Sequence, residues 1–143
     1  MPGVRRSKSQ FVGIWLDQAG ATIVTLQHGH DPVIQHMESN VESHFRLSGG
    51  WKSGMTVQDV ADEKRVERRR QHQLNRYYQR LSEALGEATR VLILGPGEAK
   101  LGLKRFLETQ RSRKPQCMTV KTADKMTERQ LVAAVQKFFL IDG

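Results

Sequence analysis

Lys64, Arg65, Arg68, Arg69, His72, Arg76 and Arg80 recur mostly at three- and four-residue spacing, the interval that gathers side chains on one flank of an α-helix. Guanidinium groups in such a row suit phosphate oxygens, because each can donate charge-assisted hydrogen bonds and displace a condensed counterion. From 64 to 80 there are seven Lys or Arg and one acid, Glu67. Advancing about 100° per residue places Leu74, Tyr77, Tyr78, Leu81 and Leu85 on the opposite face, a core-facing stripe. Only Glu83 and Glu87 dilute the basic face, and they come late. A solvated face that keeps the protein soluble would look similar, but a single-signed row of this length favours a polyanionic partner. Glu67 and Arg70 occupy the angles that apolar residues hold further on, so the first turns are expected to overhang the core.

Upstream of this helix, Ser48-Gly49-Gly50-Trp51-Lys52-Ser53-Gly54 has the composition of a mobile loop. Gly49, Gly50, Trp51 and Lys52 are candidate contacts, with Trp51 either stacking on a base or folding back onto the core. Gly95-Pro96-Gly97 superficially resembles a phosphate cradle before a helix. It lacks the Lys-Ser/Thr of a P-loop and the third glycine of a dinucleotide fingerprint, and reads better as a turn that aims the helix. Glu98, in the first turn of that helix, suits its dipole and repels phosphate. Asp17, Glu98 and Asp124 stand at element ends and could in principle hold Mg²⁺ as in a nuclease, yet each has a simpler turn or helix-start role. Among the five histidines, only His28 and His30 have a short spacing, and two ligands leave a zinc site incomplete. No catalytic residue, metal or cofactor is assigned.

The elements that would position these residues are legible from periodicity and turn chemistry. Phe11–Leu16 and 21–28 are rich in β-branched and aromatic residues around Asp17-Gln18-Ala19-Gly20, which predicts a hairpin. A third strand is expected over 33–39 and a short fourth over 41–47. The long helix begins between Thr56 and Asp62, Thr56-x-x-Asp59 matching a capping box, and ends near Gly86. Arg90–Leu94 is an apolar strand stopped at Gly95, and Ala99, Leu103, Phe106 and Leu107 mark an amphipathic helix. Cys117–Thr122 is the last strand, and Thr127-x-x-Gln130 caps a C-terminal helix whose Leu131, Val135, Phe138 and Phe139 face the core. A β-meander followed by α, β, α, β, α predicts an α/β fold: one mixed sheet, antiparallel at first and then a parallel βαβ part, with about three helices.

The chain of 143 residues fits one domain, taken as 11–143 behind a disordered basic arm over 1–10 that carries Arg5, Arg6 and Lys8. Twenty-three Lys and Arg against 15 Asp and Glu give a net charge of +8, a balance suited to nucleic acid and less often to an anionic membrane surface. Cys117 is the sole cysteine, which excludes an intrachain disulfide and a cysteine-rich zinc site. The apolar run 11–16 is too short for a signal-peptide core or a membrane span, so a cytoplasmic location is expected.

Several motifs occur in an order that resembles the central domain of archaeal and eukaryotic peptide chain release factors and Pelota. They are Gly13-Ile-Trp-Leu-Asp17, Asn40-Val-Glu-Ser-His44, Ser48-Gly-Gly50, Asn75-Arg-Tyr-Tyr78, Val91-Leu-Ile-Leu-Gly-Pro-Gly-Glu-Ala-Lys100 and Thr122-Ala-Asp-Lys-Met-Thr127. The resemblance covers about residues 11–139 and is closer still to small stand-alone bacterial proteins of that translational machinery component superfamily. It implies their mixed-sheet α/β fold and a ribosome-linked function. In release factors the loop before the long helix carries Gly-Gly-Gln, whose Gln helps water attack peptidyl-tRNA. The matching positions here are Gly49, Gly50 and Trp51, so the Gln is missing and hydrolysis does not carry over. Pelota, which serves in ribosome rescue, lacks that motif too. The flanking domains through which these factors recognise the decoding site have no counterpart among the motifs.

The sequence therefore points to a non-catalytic binder of the ribosome or structured RNA, rRNA or tRNA, in a rescue, termination-like or hibernation role. The alternatives are an RNA-directed hydrolase (nuclease or peptidyl-tRNA esterase) with an unrecognised site, and an adaptor for an acidic protein.

Overall fold

A computed structural model describes residues 10–42, 57–110 and 114–140. The expected order of elements holds throughout them: β1 (Gln10–Leu16), β2 (Gly20–Gln27), β3 (Val33–Glu38), α1 (Val57–Leu85), β4 (Arg90–Gly95), α2 (Ala99–Glu108), β5 (Cys117–Thr122) and α3 (Glu128–Leu140). The five strands form a single sheet in the order β3-β2-β1-β4-β5. β1, β2 and β3 pair antiparallel, whereas β1 and β4, and β4 and β5, pair parallel. The mixed α/β sheet is thus the one the sequence predicts. The expected strand over 41–47 is absent at Val41 and Glu42, and its remainder lies outside the described residues, as does the basic arm except for Gln10, which begins β1.

Alternation along the strands distributes side chains between two cores. On one face Val12, Ile14, Leu16, Ile23, Val91 and Ile93 meet α1 and α2; on the other Trp15, Val24, Leu92 and Leu94 meet Leu131, Val135 and Phe139 of α3. β1 and β4 are covered on both sides, which is why they read as unbroken apolar runs. The capping box at α3 is formed in both directions: Gln130 Oε1 accepts from the Thr127 N–H at 2.9 Å, and Thr127 Oγ1 accepts from the Gln130 N–H at 3.1 Å. α1 stops where Gly86 turns into the left-handed region at φ 61°.

Most of the sequence motifs meet at one end of the sheet, where β1, β4 and β5 finish. Trp15 Nε1 donates to the carbonyls of Ala123 and Asp124, each at 3.1 Å. The Tyr77 hydroxyl donates to the Asp17 carbonyl at 3.0 Å, while the Asp17 carboxylate accepts from the N–H groups of Ala19 and Gly20. The Ala123 N–H donates to the Gly95 carbonyl at 2.9 Å. These residues join β1, α1, the Gly-Pro-Gly turn and the β5–α3 connection into one braced corner.

At Gly95 the brace is steric. A Cβ there would fall well inside contact distance of the Leu16 carbonyl oxygen, whereas one at Gly97 would enter open space. The opposing atom is backbone in a strand that is itself hydrogen-bonded, so it cannot rotate away. Gly95→Ala is therefore expected to destabilise the protein by about 1–3 kcal/mol, and Gly97→Ala to lie within about 0.5 kcal/mol of wild type. Urea unfolding midpoints compare the two; equal midpoints would show that the turn is not packed as described.

Candidate nucleic-acid interface

The basic row does lie along α1, but its members divide into two sets. Lys64, Arg65, Arg68, Arg69, His72 and Arg76 are exposed, and Arg80 is half-buried. From Val57 to Arg69 no residue of α1 is buried, and burial begins at Arg70. That stretch is about 20 Å long at the rise of an α-helix, so among the described residues the first turns ride above the core as the sequence implies.

The set that faces β3 and the segment after it is engaged. Arg69 Nε donates to Glu42 Oε2 at 2.5 Å and its Nη2 to Oε1 at 3.2 Å, a bidentate geometry. The Arg69 guanidinium, with help from Gln73, holds the Glu42 carboxyl below the usual carboxylate range against a smaller opposing effect of burial. This strap is present above the ordinary carboxylate pKa and is lost as pH falls through the lowered value. Arg80 donates to the backbone carbonyls of Glu38 and Ser39 at 3.1 and 2.8 Å and lies 5.9 Å from the Tyr77 ring centroid. Its expected solvent-facing placement is corrected accordingly: its angle on the helix lies at the border of the basic stripe, where the 38–42 segment packs, and its charge is used to hold that segment.

The second set faces away from the sheet. Arg65 makes one exposed i, i+3 pair with Asp62 at 3.2 Å, which contributes little in water. Lys64, Arg68, His72 and Arg76 sit beside it on the same side of the helix. Five cationic or protonatable side chains thus form a row along α1 that is open to a ligand among the described residues. Gly49, Gly50, Trp51 and Lys52, expected to contribute a loop, lie outside the described residues.

The core stripe extends one turn beyond the expected apolar set, through an arginine. Arg70 is 7% exposed, its Nη2 donating to Gln18 Oε1 and its Nη1 lying 3.5 Å from Glu67 Oε2. The sequence placed Arg70 at a core angle, but nothing in it showed which residues would surround the guanidinium.

A second cluster went unread. Thr22 Oγ1 lies 3.2 Å from His36 Nδ1, and His36 Nε2 lies 2.7 Å from Glu128 Oε2, beside a cavity of about 530 Å³ that also includes Trp15 and Lys125. Thr22 and His36 are cross-strand partners, so the hairpin register could have paired them; Glu128 arrives only through the docking of α3. With His36 and Glu128 side chains 64% and 51% exposed, the chain of bonds ties edge strand β3 to α3. Asp17, Glu98 and Asp124 do not assemble a cation site, and no group of three potential metal ligands occurs among the described residues. Glu98 stands at the N-cap of α2 without a side-chain cap bond, just before the first turn in which it was expected.

The geometry has a counterpart among solved structures. Pelota from Archaeoglobus fulgidus superposes with a TM-score of 0.53 over 95% of this chain and 35% of its own, at 11% identity. The chain shares its fold with part of Pelota. An archaeal protein (TM-score 0.49, 18% identity, 90% of this chain and 33% of that one) and an archaeal translation termination factor (0.45, 17%, 92% and 40%) are also similar. The chain spans 33–40% of the length of these proteins. No described protein family matches the sequence, and no functionally curated protein does. No described helix is long and apolar enough to cross a membrane.

Proposed function

We propose that this protein is a non-catalytic, translation-linked binder of the ribosome or of structured rRNA or tRNA, and that the open row on α1 is its principal contact. The observation that carries the reading is the row itself: Lys64, Arg65, Arg68, His72 and Arg76 are all exposed, the first three on a helix segment with no buried residue. A solubilising surface would be satisfied by mixed charges. Cations of one sign at helical spacing instead match a phosphate backbone. The shared fold with Pelota supports a setting in translation, and the sequence motifs support it independently. Kinship to small stand-alone bacterial proteins rests on those motifs alone, as does a part for Gly49, Gly50, Trp51 and Lys52.

Sedimentation of the tagged protein through sucrose gradients of cell lysate tests the reading. Co-migration with ribosomal particles that is lost after RNase treatment is the expected result; a position at the top of the gradient with and without RNase would refute it. The protein is also expected to leave peptidyl-tRNA intact, because Trp51 stands where the hydrolytic Gln would be needed. Release of labelled peptide above the buffer rate, abolished by Gly50→Ala, would overturn that expectation.

A further inference from the structure

Between α1 and α2 lies a cleft of about 430 Å³, within the range of small-ligand sites. Its α1 wall includes Arg70, Gln71, Asn75 and Tyr78, and its α2 wall includes Arg105 and Phe106. The cleft depends on a glycine: a Cβ at Gly102 would fall 2.7 Å from Tyr78 Cζ and closer still to the hydroxyl oxygen. Gly102 therefore lets the phenol lie flat against α2.

Arg70 is the unusual member. An apolar residue at its angle would continue the stripe of Leu74 and Tyr78, yet the position holds a guanidinium that is more than nine-tenths buried. Its donors are poorly used: Gln18 takes one, Glu67 lies at the long distance of 3.5 Å, and the buried Nε has no partner. A buried cation with unmet donors is costly unless something completes it. Arg105 is exposed on the opposite wall. Both guanidiniums line the cleft, and both act on the Tyr78 phenol, partly offsetting the upward push of burial on its pKa.

We propose that the α1–α2 cleft binds a nucleoside monophosphate unit, with Arg70 and Arg105 gripping its phosphate. Phosphate oxygens displace the long Glu67 contact and supply acceptors for the unmet donors of Arg70. Phe106, half-buried on the α2 wall, offers an apolar surface for a base, with the buried Tyr78 ring 6.3 Å behind it. The Gln71 and Asn75 amides can donate to and accept from its edge. Glu98, which also lines the cleft, is an acceptor for ring N–H or exocyclic amine groups; its carboxylate disfavours a bare anion and favours a ligand that carries donors. The unit can be a free nucleotide or the phosphorylated end of an RNA. Because a mononucleotide reads the cleft directly, the inference stands or falls apart from ribosome binding.

Calorimetric titration of the whole protein with GMP, guanosine, inorganic phosphate and a short RNA with or without a 5′-phosphate tests it. GMP is expected to bind saturably and more tightly than phosphate or guanosine. Arg105→Gln, at an exposed position that leaves the fold intact, should weaken GMP by about tenfold or more, as should Arg70→Gln where it folds. Lys137→Gln on α3 should leave it unchanged. A 5′-phosphorylated RNA that binds more tightly than GMP assigns the unit to an RNA end, and the reverse order assigns it to a free nucleotide. Absence of saturable GMP binding up to millimolar concentration, or GMP affinity unaffected by Arg105→Gln, overturns the proposal.

Discussion

Reversing Lys64, Arg68 and Arg76 to glutamate is expected to lower affinity for ribosomes or structured RNA on the order of a hundredfold or more at moderate salt. In the wild type the logarithm of affinity should fall linearly with the logarithm of salt concentration. Each phosphate contact contributes a slope of about −0.7 to −0.9, so losing three should flatten the line by about 2 to 2.7. Repulsion by the new carboxylates adds to the loss of affinity. Arg69 and Arg80 are left in place because they hold Glu42 and the carbonyls of Glu38 and Ser39; changing them would confound binding with stability. The chosen three are exposed and make no ion pair among the described residues. Surface changes of this kind typically alter stability by less than about 0.5 kcal/mol each, with a few tenths more from like charges beside Glu67. Circular dichroism checks the fold, and filter binding across a salt series gives both affinity and slope. A well-folded triple variant with unchanged affinity and slope would remove α1 from the interface and leave an acidic protein as the better partner.

The division of the basic row into open and engaged members shows what periodicity could and could not supply. Helical spacing places cations on a face whatever their partners, so the row was legible from residue positions alone. Whether a given guanidinium is free depends on the segment beside it, and the approach of 38–42 is set by the β2–β3 pairing and the left-handed turn at Asn40 (φ 58°). The mixed character of the sheet was legible for a related reason, whereas the order β3-β2-β1-β4-β5 comes from the structure. Apolar runs at β1 and β4 demand cover on both faces, and the alternation of α and β after residue 57 demands parallel pairing there. The cleft was not legible, because it joins Arg70 to Arg105 through the crossing of two helices. Similarly, His36 and Glu128 are 92 positions apart and meet only because α3 returns to the opposite face of the sheet.

The motifs carry a further lesson about what short sequence signatures encode. Gly13-Ile-Trp-Leu-Asp17 is engaged in packing and bracing in the described structure. Ile14 and Leu16 fill one core, Trp15 fills the other while bonding the β5–α3 connection, and the Asp17 carbonyl receives Tyr77. Asn75-Arg-Tyr-Tyr78 divides the same way, with Arg76 outward and both tyrosines inward. Such motifs therefore identify a scaffold, and the exposed residues mounted on it must be argued separately for function.

Gly13→Ala is expected to be among the most destabilising single-methyl changes in the protein, and Val135→Ala to relieve part of the loss. A Cβ at Gly13 would stand 2.8 Å from Val135 Cγ1, 3.0 Å from Val135 Cβ and closer still to Cγ2. β1 cannot retreat, because Gly13 pairs with Val24 on one side and Leu92 on the other. α3 must therefore lift, which opens the contacts of Leu131, Val135 and Phe139 with Trp15, Val24, Leu92 and Leu94. Overpacking of this kind costs about 1–3 kcal/mol. Val135→Ala alone should also destabilise, by about 0.8 kcal/mol for each buried methyl lost, plus the effect of the void left behind. Combined, the two changes exchange a methyl on the strand for two on the helix, and only the 3.0 Å approach of the two Cβ atoms has to relax. The double variant is expected to be less destabilised than the sum of the singles by about 1–2 kcal/mol, within the coupling typical of residues in direct contact. Urea midpoints followed by circular dichroism give the cycle. Additive losses would mean that α3 does not dock on β1 through this contact.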